Sequence, residues 1–141
     1  MRLSEEEAKQ RLGAARVARL ATVSGAGQPH IVPVTFARDG DRLCCAVDAK
    51  PKSTRQLQRL HNIRANPRVA VLADHYEEDW NLLWWARADG RAEILTDPGA
   101  IAGPVRLLAQ RYPQYREQPP EGPVISILVS RWTGWAASGF P

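Results

Sequence analysis

The segment from Ala46 to Val71, AVDAKPKSTRQLQRLHNIRANPRVAV, constrains the fold more than any other part of the chain. It reads as a strand, a basic loop, a helix and a second strand. The loop Lys50-Pro51-Lys52-Ser53-Thr54 falls where the first strand stops and the helix starts. Ser53 followed by Gln56 has the spacing of a capping box, which makes Ser53 the N-cap. First-turn N–H groups lack internal partners and carry partial positive charge. Lysines and hydroxyls beside such an end form a seat for a phosphate. Taken alone, the same residues read more simply as a solvated basic loop with an ordinary cap, and it is the rest of the chain that shifts the balance. On the helix, Leu57, Leu60 and Ile63 make the inner side, and Arg55 and Arg59 lie together on another. Asn66-Pro67 ends it, because the residue before proline avoids helical angles. Arg68 to Asp74 returns as a strand.

Upstream, Ser4 and Glu7 form a second capping box, and Ala8, Leu12 and Ala15 share one face of a short helix covering an end of the sheet. Val17 to Val23 and His30 to Phe36 read as strands joined by the turn residues 24–27. Val32, Val34 and Phe36 lie on one side of the second strand; Ile31, Pro33 and Thr35 lie on the other. Asp39-Gly40 signals a hairpin into Arg42 to Val47, completing an antiparallel meander. Pro33 cannot donate to a ladder, so it belongs at an edge or bulge. There it either blocks aggregation or leaves nearby backbone open to a flat ligand with polar edges.

Downstream, residues 75–79 form an acidic connector. Trp80 to Ala88 reads as a strand with Trp84 and Trp85 on opposite faces. One of that pair fits a core; the other meets a ligand or a second subunit, where tryptophan is enriched, unless a barrel with covering helices buries both within one chain. Asp89-Gly90 reads as a turn into Arg91 to Leu95. Asp97-Pro98 starts a helix, and Pro104 predicts a break near Gly103. Val105, Leu108 and Tyr112 follow helical spacing, and Tyr112 to Gly122 reads as an extended connector. Val124 to Trp132 is the last long strand, followed by Thr133-Gly134 and a docked Trp135-Ala136-Ala137.

A chain of 141 residues suits one domain spanning 1–141. Six or seven strands with a few helices indicate a mostly β, α+β fold, an antiparallel barrel with covering helices. The net charge of +4 favours anionic ligands without making the dense basic stripe of a nucleic-acid binder. Cys44 and Cys45 are adjacent and point apart on a strand, so they suit packing and not a disulfide. The three histidines are far apart in sequence and no Cys-x-x-Cys occurs, which leaves no metal ligand set. No apolar run is long enough for a membrane span, and the default location is a reducing cytoplasm.

The order of these elements resembles the flavin and deazaflavin oxidoreductases with the pyridoxamine-phosphate-oxidase-like split β-barrel. The resemblance covers nearly the whole chain. It rests on RVARLATVSGAGQPHIVPVTFA and KPKSTRQLQRLHNIRANPRVAVL, with RYPQYREQPP and RWTGWAAS resembling the actinobacterial branch that uses coenzyme F420. It implies a homodimer with the cofactor in a groove at the interface. The phosphate would lie on Lys50, Lys52, Ser53 and Thr54, and the ring along Val32, Pro33, Val34 and Thr35. Trp135 would reach the partner's site. The second strand departs from the flavin mononucleotide (FMN) oxidases in carrying no Arg or Lys, which favours F420 over FMN as cofactor. The function implied is hydride transfer between F420 and an unsaturated organic acceptor, with the proton coming from solvent or from a side chain such as Tyr76 or His75, and no catalytic residue is singled out. An FMN-dependent oxidoreductase and a non-enzymatic flavin or tetrapyrrole carrier are the alternatives. Neither nucleic acid nor a membrane is expected as a partner.

Overall fold

The computed structural model describes residues 1–47 and 54–137. In chain order the elements are α1 (Glu5–Ala14), β1 (Ala18–Val23), β2 (Pro29–Val34), β3 (Ala37–Asp39), β4 (Arg42–Ala46), α2 (Thr54–Ala65), β5 (Arg68–His75), β6 (Trp84–Leu95), α3 (Pro98–Arg111), α4 (Pro113–Glu117) and β7 (Val124–Ala136). The strands form one seven-stranded antiparallel sheet in the order β2-β1-β5-β6-β7-β4-β3.

This order corrects the expected meander. β2 pairs with β1 as foreseen, and Asp39-Gly40 does turn β3 into β4, with Gly40 at φ +60. The first hairpin and the second, however, lie at opposite edges of the sheet. Only Thr35 and Phe36 separate β2 from β3 in sequence. Three Cα steps reach about 11 Å at full extension. The sheet must therefore curl until its two edges stand side by side, and the result is a split barrel.

Phe36, Leu20, Leu43, Val71, Ile125 and Ile127 fill the barrel, with Ala8 and Leu12 from α1 and Leu60 and Ile63 from α2. A smaller cluster lies outside the barrel, where Leu108 and Tyr112 pack on Ala37, Cys44 and Val124. Cys45 faces the main core and Cys44 the smaller one, and both are free thiols. Ser4 and Glu7 make the expected reciprocal capping box on α1.

Five further expectations change. Trp80 to Leu82 is a 3₁₀ turn capped by Asp79, so β6 begins only at Trp84. Asp89-Gly90 is not a turn: β6 runs through it with a bulge, and Gly90 does not have the positive φ a tight turn needs. A Cβ at Gly90 would come within 2.4 Å of the Leu128 carbonyl oxygen, so the glycine serves close strand approach. α3 is unbroken despite Pro104. The packing of Leu108, Ile101 and Val105 outweighs the helical bond that proline forfeits. Residues 113–117 form α4, started by Pro113 in its first turn. β7 also runs on through Trp135 to Ala136. Among the described residues no helix is long and apolar enough to cross a membrane.

Candidate functional site

A groove of about 840 Å³ opens where β2 leaves the sheet. Its floor is Pro33, Val34 and Thr35; Ala46 and Val47 of the β4 end flank it, and α4 with residues 118–121 forms the opposite wall. Arg59, from the second turn of α2, also lines it. α2 is oriented by a polar chain that runs inward from the surface: Gln58 donates to Asn62 at 2.7 Å, and the buried Asn62 donates to the Thr22 hydroxyl of β1 at 3.0 Å. This chain turns Leu60 and Ile63 inward and leaves Arg59 at the groove.

Arg59 is only 9% exposed, and its Nε–H has no hydrogen-bond partner. Burial pulls its guanidinium below its ordinary pKa, with Cys45 and Tyr115 pulling the other way. Arginine has too high a starting value to lose its proton, so a buried cation lines the groove, with its Nε–H shielded and unmet. Leaving such a donor unpaired costs about 1–3 kcal/mol. An anion bound in the groove would compensate the buried charge. On the opposite wall the Tyr115 hydroxyl lies 2.9 Å from Thr35 Oγ1, and Gln114 and Gln118 add amides.

The expected ring-binding strand is thus largely at the groove. Pro33, Val34 and Thr35 line it, while Val32 packs against the core instead. Pro33 pairs opposite Arg19 on the sheet's edge strand, where a missing N–H is tolerated. Of the expected phosphate seat, Lys50, Lys52 and Ser53 lie outside the described residues, and Thr54 opens α2. Trp135 lies outside the groove of its own chain: it is opposite Trp85 and bridges to Arg2. His75 bonds Glu77 on the exposed surface, and Tyr76 is on the outer face of the sheet, so neither reaches the groove within one chain. Arg59 and Tyr115 are the residues that sequence reasoning left out of the site. The signal for Arg59 was its place on the helix that follows the basic loop.

Trp84 and Trp85 do point apart. Trp84 packs on the core under the Arg11 guanidinium, 5.2 Å from its ring. Trp85 joins Ile31, Ala21, Ala70, Leu72 and Tyr76 on an outer sheet face rimmed by Arg19, Asp74 and Arg87. A further cleft, between α3 and β4, is about 510 Å³. In it Arg42 donates to Ser126 at 3.3 Å and lies 4.0 Å from Glu93. Among the described residues no cluster of His, Cys, Asp or Glu could hold a metal.

A curled seven-stranded sheet with a groove, lined by a buried arginine, at the open end of its second strand defines the class: a split β-barrel. Residues 4–136 match the family model described as pyridoxamine 5'-phosphate oxidase, and the chain belongs to that family. Among solved structures it resembles a FAD-binding protein from Mesorhizobium loti, at 25% identity over 95% of each chain with a TM-score of 0.75. A conserved protein from Mycobacterium tuberculosis matches at 24% identity over 99% of this chain and 89% of that one, TM-score 0.76. A FAD-binding protein from Mycobacterium smegmatis matches at 19% identity over 96% of each chain, TM-score 0.66. Among curated proteins, none matches the sequence significantly.

Proposed function

We propose that this chain is an oxidoreductase that holds a flavin-type cofactor in the β2 groove, and that the cofactor is coenzyme F420. The observation that carries the reading is the buried Arg59 guanidinium with its unpaired Nε–H. A phosphate against this guanidinium would pair the buried charge and offset the cost of its burial. Lys50, Lys52, Ser53 and Thr54 precede Arg59 in sequence and would add to the same seat.

When bound, such a cofactor supplies the hydride chemistry, and the protein supplies placement and electrostatics. Pro33, Val34 and Thr35 would lie along the ring, with the proline leaving no N–H to compete for its edge. Tyr115 and the α4 wall would exclude water from the other side. Family membership and the flavin-binding relatives support the class of cofactor. The absence of Arg or Lys on β2 favours F420. FMN or FAD is the second reading, and the FAD-binding relative from Mesorhizobium loti favours it.

The partner in this reading is a second copy. Ile31 and Pro33 point the same way on β2, so the apolar outer face runs directly into the groove. A copy seated on that face would roof the site. A cytoplasmic setting fits two unbridged cysteines.

The test is a fluorescence titration of the purified chain with F420, FMN and FAD, repeated with Arg59→Met. The expected result is tightest binding of F420, weakened in the variant by about 1.5–3 kcal/mol, the worth of a charge-assisted hydrogen bond. A parent that binds none of the three, or a variant that binds like the parent, would overturn the reading.

A further inference from the structure

We propose that Tyr112 is a positioning residue for the groove: its hydroxyl fixes the β2 floor against the α4 wall. This rests on the cofactor reading above and assigns a role to a residue that does not itself line the groove.

The crossing from β2 to β3 leaves the ladder, so the backbone of Phe36 has to find partners elsewhere. Both of its polar groups find them at the junction of α3 and α4. The Phe36 N–H donates to the Tyr112 hydroxyl at 3.2 Å. That hydroxyl lies 3.0 Å from the Phe36 carbonyl oxygen and 2.8 Å from that of Arg16. A phenol has one proton, so it serves one carbonyl at a time. Arg111 Nη1 donates to the Phe36 carbonyl at 3.0 Å, which leaves the Tyr112 proton for Arg16. Arg111 Nη2 donates to Ala15, and the Arg111 guanidinium lies 4.8 Å from the Phe36 ring centroid. One hydroxyl therefore ties the crossing to the end of α1 and to the α3–α4 junction.

The consequence for the groove follows from sequence distance. Thr35, in the floor, is one residue from Phe36. Tyr115, in the wall, is three residues from Tyr112. Their rings meet edge to face, with centroids 5.8 Å apart, and Tyr115 reaches Thr35 at 2.9 Å. Floor and wall are thus set from the same buried anchor, and Tyr112 is 7% exposed. Removing its hydroxyl would leave the Phe36 N–H without its acceptor and free the crossing to shift while the ring stays packed.

The experiment is titration of Tyr112→Phe with F420 and with FMN, read by fluorescence and by the absorption spectrum of the bound chromophore, alongside circular dichroism and thermal melting. The expected result is a native fold, three- to tenfold weaker binding, the worth of about one hydrogen bond, and a shifted spectrum. Tyr115→Phe, which keeps the anchor, should lose less. It also stands as the test of the floor-to-wall tie should Tyr112→Phe not fold, with unchanged binding and spectrum then counting against the proposal. If Tyr112→Phe binds like the parent with an unshifted spectrum and only its melting point falls, the residue is purely structural and the inference fails alone. A parent that binds neither cofactor overturns the functional reading, and this inference with it.

Discussion

In the proposed function, stability and binding pull Arg59 in opposite directions. Its guanidinium is buried, its Nε–H is unmet, and no carboxylate among the described residues forms an ion pair with it. Replacing such a group by a flexible apolar chain of similar length removes the desolvation cost. Arg59→Met is therefore expected to raise the stability of the cofactor-free protein by about 1 kcal/mol, while lowering affinity for the cofactor. Urea denaturation of the two proteins without ligand checks it, and a clear loss of stability would show that Arg59 holds the fold and not a ligand. The position was legible only in part. Helical spacing puts Arg59 beside Arg55, but its burial depends on how α2 packs against the sheet, and the groove it lines is completed by α4 and residues 118–121, which the proline-rich sequence presents as an extended connector.

The two cysteines give a residue-scale prediction about pH. Burial pushes the Cys45 thiol up to about 12 and the Cys44 thiol up to about 11. Both should stay protonated and slow to react with a thiol reagent until the chain unfolds. Because the folded values lie above the ordinary one, their contribution to stability is complete below the unfolded thiol's pKa. It is lost as pH rises through the folded values. Melting points measured at rising alkaline pH, compared with a Cys45→Ala variant, should show a smaller decline in the variant; equal declines would sink the assignment.

At the scale of elements, two glycines of ordinary φ should respond in opposite directions. A Cβ at Gly134 would lie 2.8 Å from the Trp85 carbonyl oxygen and 2.9 Å from Leu3 Cδ1, where β7 passes under the N-terminal segment. Gly134→Ala is expected to destabilise by about 1–3 kcal/mol, the usual cost of overpacking. At Gly103, inside α3, a Cβ meets nothing within 4 Å. Gly103→Ala should stabilise by about 0.5–1 kcal/mol through helix propensity. Denaturant midpoints with unchanged slopes would measure both. The same contrast explains which elements the sequence made legible. Caps at Ser4 and Asp97 are local chemistry and appear where expected. Asp89-Gly90 carries a turn signal but sits where two long strands pair across twelve residues, and that pairing overrides it. The Pro104 break fails for a like reason: burial of one helix face on β3 and β4 is not visible in the local pattern.

For the whole molecule, the decisive feature is the two-residue crossing that joins opposite edges of the sheet. Strand count and alternation made a barrel legible, but the pairing order was not, because nothing local says which edge a short link reaches. Once the edges meet, the outer surface of β2, β1, β5 and β6 is left with Ile31 64% exposed and Tyr76 66% exposed around Leu72 and Trp85. An apolar centre inside a rim of Arg19, Asp74 and Arg87 has the layout of a self-complementary interface, since a two-fold axis can bring Asp74 of one copy towards an arginine of the other. Because Pro33 continues this face into the groove, assembly and binding should fail together. Leu72→Glu would place a charge at the centre of the face without touching the groove. Sedimentation should show the parent as a dimer and the variant as a monomer, and the variant should bind F420 at least tenfold more weakly, about 1.4 kcal/mol or more. A monomeric parent, or a monomeric variant whose affinity is intact, would mean that the groove is complete within a single chain.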